Sequence, residues 1–207
     1  MTMLREFRLP DPHEAEENLR VIRDLMERPT KHSTFSGRAG VAAGIAPIVG
    51  CLVTLYLMRE HGAPGPIPFL ITWSLVILTA LTVDYLLTKR PAARVGKHIL
   101  SHLGRQMFFA ATPGLGTGTL LTLYFLRHDL VADIYPVWML CYGIAVCSVA
   151  QFSRREVRCL GVAFLIAGAA TLIVSSFGLK IGLVMTAVTF GGFHILYGCL
   201  MSRKDGW

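Results

Sequence analysis

Apolar residues gather along this chain into six runs, each close to the number of residues that an α-helix needs to cross the hydrocarbon of a bilayer. The runs extend from about Arg38 to Met58, Ile67 to Leu87, Met107 to Leu126, Pro136 to Phe152, Cys159 to Phe177 and Ile181 to Met201. The second and fifth are the most continuous, and the fourth is short and carries Gln151. Because the runs are continuous rather than alternating, they predict helices and exclude the strands of a membrane barrel.

A different pattern precedes them. Asp11, Pro12 and Glu14 stand in the order of a helix cap, a first-turn proline and a capping-box acid, and Pro29 stops what they start. A helix is therefore expected from about Pro12 to Arg28, with Ala15, Leu19, Ile22 and Met26 forming an apolar stripe beside Leu25. The expected architecture is all-α and polytopic. An amino-terminal segment, 1–37, carries the amphipathic helix, six transmembrane helices occupy 38–201, and a short tail covers 202–207.

Composition agrees with this pattern. Of the 207 residues 53% are hydrophobic and only 16% are charged, and the mean hydropathy is +0.54; folded in water, such a chain would expose large apolar patches. Charge then gives the orientation. Seventeen of the twenty Lys and Arg residues lie in the amino-terminal segment, the Thr88–Gln106 loop, the Ser153–Arg158 loop and the tail, leaving Arg59, Arg127 and Lys180 for the opposite side. The positive-inside rule puts both termini in the cytoplasm. The first apolar run starts late, so no cleavable leader is expected.

The two largest cytoplasmic segments differ in character. Residues 1 to 38 balance seven basic against seven acidic residues, so the amino-terminal helix gains little from anionic lipid and suits a protein partner or the bundle itself. The Thr88–Gln106 loop has Lys89, Arg90, Arg94, Lys97 and Arg105 and no acid. With Val95, Ile99 and Leu103 at helical spacing after Pro91, it is expected to form a short helix on the anionic inner leaflet, or else an ordinary basic loop. His98 and His102 are one turn apart, but two ligands without a third do not make a metal site.

The five cysteines, Cys51, Cys141, Cys147, Cys159 and Cys199, fall within or beside the runs without CxxC spacing, which suits apolar packing rather than disulfides or zinc. Small residues recur at positions that favour helix contact: Gly40 and Gly44 as GxxxG, then Gly114, Gly116 and Gly118, Gly161 and Gly168, and Gly191, Gly192 and Gly198. The GxxxG pair also permits an oligomer. A shift of 68 residues superimposes Gly50 on Gly118 and Thr54-Leu55-Tyr56 on Thr122-Leu123-Tyr124, as parallel two-span repeats would.

Candidate chemistry rests on the polar residues inside the runs. Asp84, Gln151 and His194 occupy the second, fourth and sixth runs, each towards the cytoplasmic side, with Tyr197 one turn from His194. Ionisable groups in a membrane usually face a cavity or one another, so an inward-facing polar pocket is one reading. The other has Asp84 reaching the interface beside Lys89 while His194 bonds a neighbouring helix. Ser148 and His194 invite comparison with intramembrane serine proteases, but the Val146-Cys147-Ser148-Val149 context and the cytoplasmic depth do not suit a nucleophile of that kind. Haem binding would want histidines at matched depth on two spans. No cofactor, metal or nucleic-acid partner is expected, nor an enzymatic activity.

The chain resembles a group of uncharacterised bacterial six-helix membrane proteins. The likeness is carried by Met26-Glu27-Arg28, the Thr34-Phe35-Ser36-Gly37 entry, Gly104-Arg105, the Phe190–Gly198 sequence FGGFHILYG, and Arg203-Lys204. It departs at Arg38, where that group commonly has an aromatic residue. The resemblance implies a bacterial cytoplasmic membrane and no particular activity. Two functions follow as expectations: a regulatory, sensory or accessory subunit that binds a partner through the amino-terminal helix, or a small-solute or proton-coupled transporter built on Asp84 and His194.

Overall fold

The computed structural model describes residues 11, 13, 16–22, 37–94, 102–174 and 178–205, for 88–94 and 102–103 as backbone only. The long helices are α1 (Gly37–His61), α2 (Pro66–Arg94), α3 (His102–Arg127), α4 (Val131–Val149, closed by a 3-10 turn Ala150–Phe152), α5 (Arg155–Val174), α6 (Leu179–Thr186) and α7 (His194–Asp205). A π-helical stretch, Ala187–Phe193, joins α6 to α7, so the last two helices form one continuous rod. Among the described residues there is no strand. The chain is an all-α polytopic membrane protein.

Five of the rods are long and apolar enough to cross a bilayer: α1, α2 as far as Leu87, α4 with its terminal turn, α5, and the joined α6 and α7. The 26-residue α3 has the length but is diluted by Pro113, three glycines and several threonines. Its hydroxyls are nonetheless provided for. Thr112, Thr117, Thr119 and Thr122 each donate to the carbonyl four residues back, at 2.7 to 3.0 Å, so the side chains bring no unpaired polar group into contact with lipid.

The helices extend beyond the apolar runs. α3 starts at His102 rather than Met107, α4 at Val131 rather than Pro136, and α5 at Arg155 rather than Cys159. Hydropathy marks only the hydrocarbon layer, whereas backbone hydrogen bonding carries a helix on into the interface. Asp133 and Glu156, in the first turns of α4 and α5, also suit the positive end of the helix dipole. The largest change is in α2, which continues through Pro91 to Arg94, so the basic segment begins as helix rather than as loop. Leu103 belongs to α3; Val95 and Ile99 of the expected interfacial helix lie outside the described residues.

At the amino terminus, residues 16–22 are helical and exposed, and the His13 N–H donates to Asp11 Oδ1 at 3.4 Å, the bond an N-cap aspartate makes. The remainder of the expected Pro12–Arg28 helix lies outside the described residues.

Packing follows the glycines. Neighbours in sequence pair as α1 with α2, α3 with α4 and α4 with α5, and the final rod fits between α1 on one side and α4 and α5 on the other. The seam between α1 and that rod is backbone against backbone. A Cβ on Gly40 would lie 3.0 Å from Gly198 Cα, and one on Gly44 would lie 2.6 Å from the Gly191 carbonyl. The GxxxG pair is thus consumed within the chain. On the α3–α4 contact a Cβ on Gly114 would meet the Cys141 carbonyl at 2.8 Å, whereas Gly116 faces open space. Side chains such as Ile67, Leu120 and Ile173 point outward at 71%, 71% and 81% exposure, which in a bilayer is contact with lipid.

The repeat reappears in three dimensions. Thr54 and Thr122, 68 positions apart, are both buried, and each donates to the glycine carbonyl four residues back, Gly50 at 2.8 Å and Gly118 at 2.7 Å. Those glycines also face equivalent neighbours: Gly50 lies against Val76 and Trp73, and Gly118 against Cys141, the position 68 beyond Trp73. Hairpins α1–α2 and α3–α4 thus share one packing solution.

Lipid offers no cavity into which an added methyl could relax, so Gly44→Ala should lower the unfolding free energy in detergent by about 1–3 kcal/mol. Gly116→Ala, on an open helix face, should raise it by up to about 1 kcal/mol through the loss of glycine's unfolded-state freedom. Reversible unfolding of the two variants under identical conditions checks both signs.

Candidate functional site

The π-helical stretch sets the position of His194. Gly191 is buried against Ile48 of α1, and the wide turn lets the His194 backbone N–H bond Gly191 rather than the residue four back. The Phe190 carbonyl instead accepts from the His194 ring, with Nδ1 at 2.9 Å. A carbonyl can only accept, so Nδ1 carries the proton. The neutral ring then presents Nε2 as an acceptor, and the Tyr142 hydroxyl donates to it across 2.7 Å from α4. π turns recur at functional sites, where they redirect a side chain in this way.

Rings enclose the pair. Tyr142 and Phe164 are 4.8 Å apart edge-on, Phe164 and Phe190 are also 4.8 Å apart, and the His194 ring lies 5.5 Å from both Tyr142 and Phe164 and nearly parallel to Phe190. Such offset and edge contacts fix ring orientation as well as burying area. Asp84 of α2, half-buried, and Tyr197 of α7 lie within electrostatic reach of the Tyr142 hydroxyl. Three helices that are not consecutive in sequence thereby supply a carboxylate, two phenols and an imidazole to one region.

Of the residues singled out in the sequence, Asp84, His194 and Tyr197 are brought together through Tyr142. Gln151 is not: it is exposed in the 3-10 turn that closes α4, nine residues beyond Tyr142 and so about 13 Å further along the axis. Ser148 donates to Ile144 in its own helix at 3.0 Å, and His194 Nε2 is engaged by Tyr142, so this serine and histidine have other partners. Arg105 is exposed in the first turn of α3, Lys89, Arg90 and Arg94 lie on the helical end of α2 with side chains outside the described residues, and Lys97 lies outside them altogether.

Tyr142 was the residue that sequence reading passed over. Its signal was present, a phenol in the middle of an apolar run, but a tyrosine costs little in a membrane beside an aspartate and so does not stand out. A second ring cluster was equally hidden. Phe69 and Trp73 of α2 meet Tyr135 and Trp138 of α4, with Trp73 and Trp138 5.0 Å apart. Trp138 Nε1 donates to Thr122 at 2.7 Å, while Trp73 Nε1 and Tyr135 Oη approach each other without closing a hydrogen bond of good geometry. Among the described residues no three His, Cys, Asp or Glu side chains stand together as metal ligands do.

No family model, curated protein or solved structure matches the chain. Its chemistry is therefore read from its own side chains, which can pass a proton between a phenol and a neutral imidazole beside a carboxylate.

The two buried tyrosines should respond oppositely to loss of the hydroxyl. Tyr142→Phe leaves His194 Nε2 without its donor and should cost about 1 kcal/mol of unfolding free energy in detergent. Tyr135→Phe removes a hydroxyl that makes no good bond and should be neutral or slightly stabilising. Equal losses in both variants would contradict the assignment.

Proposed function

We propose that this protein is a proton-coupled small-solute transporter of a bacterial cytoplasmic membrane, working through Asp84, Tyr142 and His194. The observation that carries this reading is the 2.7 Å bond between Tyr142 and a His194 tautomer fixed by the Phe190 carbonyl, with Asp84 of a third helix in electrostatic reach. Intramembrane ionisable groups that come together from separate helices are typical of proton and substrate paths. A neutral imidazole with a free lone pair, held against a phenol, gains or yields a proton with little rearrangement.

The orientation belongs to the same proposal. With α3 counted as a span there are six crossings, both termini are cytoplasmic, and the charge split of seventeen against three is satisfied. Asp84, His194 and Tyr197 then lie in the cytoplasmic half, which makes the pocket inward-facing. Lys89, Arg90, Arg94, Lys97 and Arg105 rest on anionic lipid at the inner surface.

A second reading has an observation of its own. Leu19 and Ile22 of the amino-terminal helix are 65% and 51% exposed, leaving the apolar stripe open to a cytoplasmic partner as a regulatory or accessory subunit would need. The two readings give different results in one preparation. Proteoliposomes with trapped pyranine, challenged with a panel of amino acids, sugars and organic cations, should show a solute-dependent proton flux that Asp84→Asn and His194→Ala abolish. Absence of any such flux, together with a co-purifying protein that is lost when residues 1–30 are deleted, would establish the accessory role instead.

A further inference from the structure

α2 is held unevenly. Its packing along the backbone is with α1, and its ring contacts with α4 are all made by Phe69 and Trp73, within two turns of its start. Both side chains are buried, at 1% and 4% exposure, yet from residue 74 to 87 no side chain of α2 is buried. Leu75, Leu78, Leu81 and Leu86 are all exposed, and Asp84 among them is half-exposed. The helix is clamped to α4 at one end and stands clear of it at the other.

The clamp has two sides of unequal rigidity. Trp138 is tied to α3 through its 2.7 Å bond to Thr122, and the Tyr135 ring sits where a Cβ on Gly182 would touch it at 2.8 Å, which locks it against α6. Phe69 and Trp73 have only ring edges to hold them to α4. Where the two sides meet, Trp73 Nε1 and Tyr135 Oη face each other without a proper bond, and buried polar atoms left so are a cost that water would relieve. A permanent core contact would have little reason to keep that cost; a contact that parts and readmits water has one.

We propose that Phe69, Trp73, Tyr135 and Trp138 form the extracytoplasmic gate of an access path between α2 and α4, open to the cytoplasm as far as Asp84 and the Tyr142 hydroxyl. Asp84 lies eleven residues beyond Trp73, about 16 Å along the helix, so the rings close the path well short of the carboxylate. Small hydrated species and protons enter from the cytoplasm and meet Asp84. They leave on the other side only when α2 leans away from α4 and the four rings separate. The gate rests on the transporter reading of the site, and the side of entry rests on the orientation given with it.

The test uses the full chain with its five cysteines replaced and one cysteine introduced at a time. Asp84→Cys is exposed to a membrane-impermeant methanethiosulfonate from either face of sealed, oriented vesicles, with Arg203→Cys marking the face of the carboxyl terminus. Asp84→Cys should react from the Arg203→Cys face and at least about tenfold more slowly from the other. Adding Trp73→Ala and Trp138→Ala should raise the slow rate by about tenfold or more. Trp73→Leu alone replaces the pair if the double variant does not fold. Equal rates from both faces, no reaction from either, or a slow rate unmoved by the tryptophan changes would overturn the gate. An Arg203→Cys that reacts only from outside would instead refute the orientation, and the gate would still be judged relative to that face.

Discussion

Lipid gives two helices no hydrophobic reason to associate, so what holds this bundle is how closely backbones can approach. The seam between α1 and the last rod is the closest approach in the molecule, made by Gly40 and Gly44 on one side and Gly191 and Gly198 on the other. Everything else is placed by it. The seam fixes the depth and rotation of the last rod, the rod carries His194 to Tyr142 on α4, and Glu156 of α5 receives Lys204 at the cytoplasmic end at 2.5 Å. A rod with ordinary side chains at those glycines would stand several ångströms further out, and the bond to Tyr142 would not close.

How much of this was legible beforehand depends on the range of the interaction concerned. Helix number, the position of the runs and the Asp11 cap follow from local composition, and they were readable. The repeat could be read because Gly50 with Thr54 and Gly118 with Thr122 are local motifs whose packing partners repeat with them. Helix ends were misjudged, α2 by seven residues, because hydropathy falls at the edge of hydrocarbon while the backbone keeps its hydrogen bonds. Tyr142 was missed because its significance lies in a partner 52 positions away and in a π turn that no local pattern announces. Gln151 stood out in the sequence for its polarity, yet it sits at a helix end where polarity is cheap.

The two ring clusters divide the bundle between them. One joins α2 to α4 near the starts of both helices, and the other gathers α4, α5 and the last rod around an imidazole. Each contains a tyrosine of α4, seven residues apart, but their hydroxyls differ in state: that of Tyr142 is bonded to nitrogen, and that of Tyr135 faces an indole N–H without engaging it. The same residue type on one helix thus serves a well-satisfied site in one place and a strained junction in another. The difference arises from the neighbouring helix in each case, a fixed rod for Tyr142 and the loosely held α2 for Tyr135.

The π-helical stretch from Ala187 to Phe193 has a consequence of its own. Such a stretch is one residue of slack wound into a rod, and each residue of an α-helix turns the chain by about 100°. His194, which bonds Tyr142, and Gly198, which seats Gly40, both lie beyond it. Ironing out the slack would rotate the two together, so hydrogen bond and seam are keyed to a single angular setting of the rod, and neither can be reset without the other.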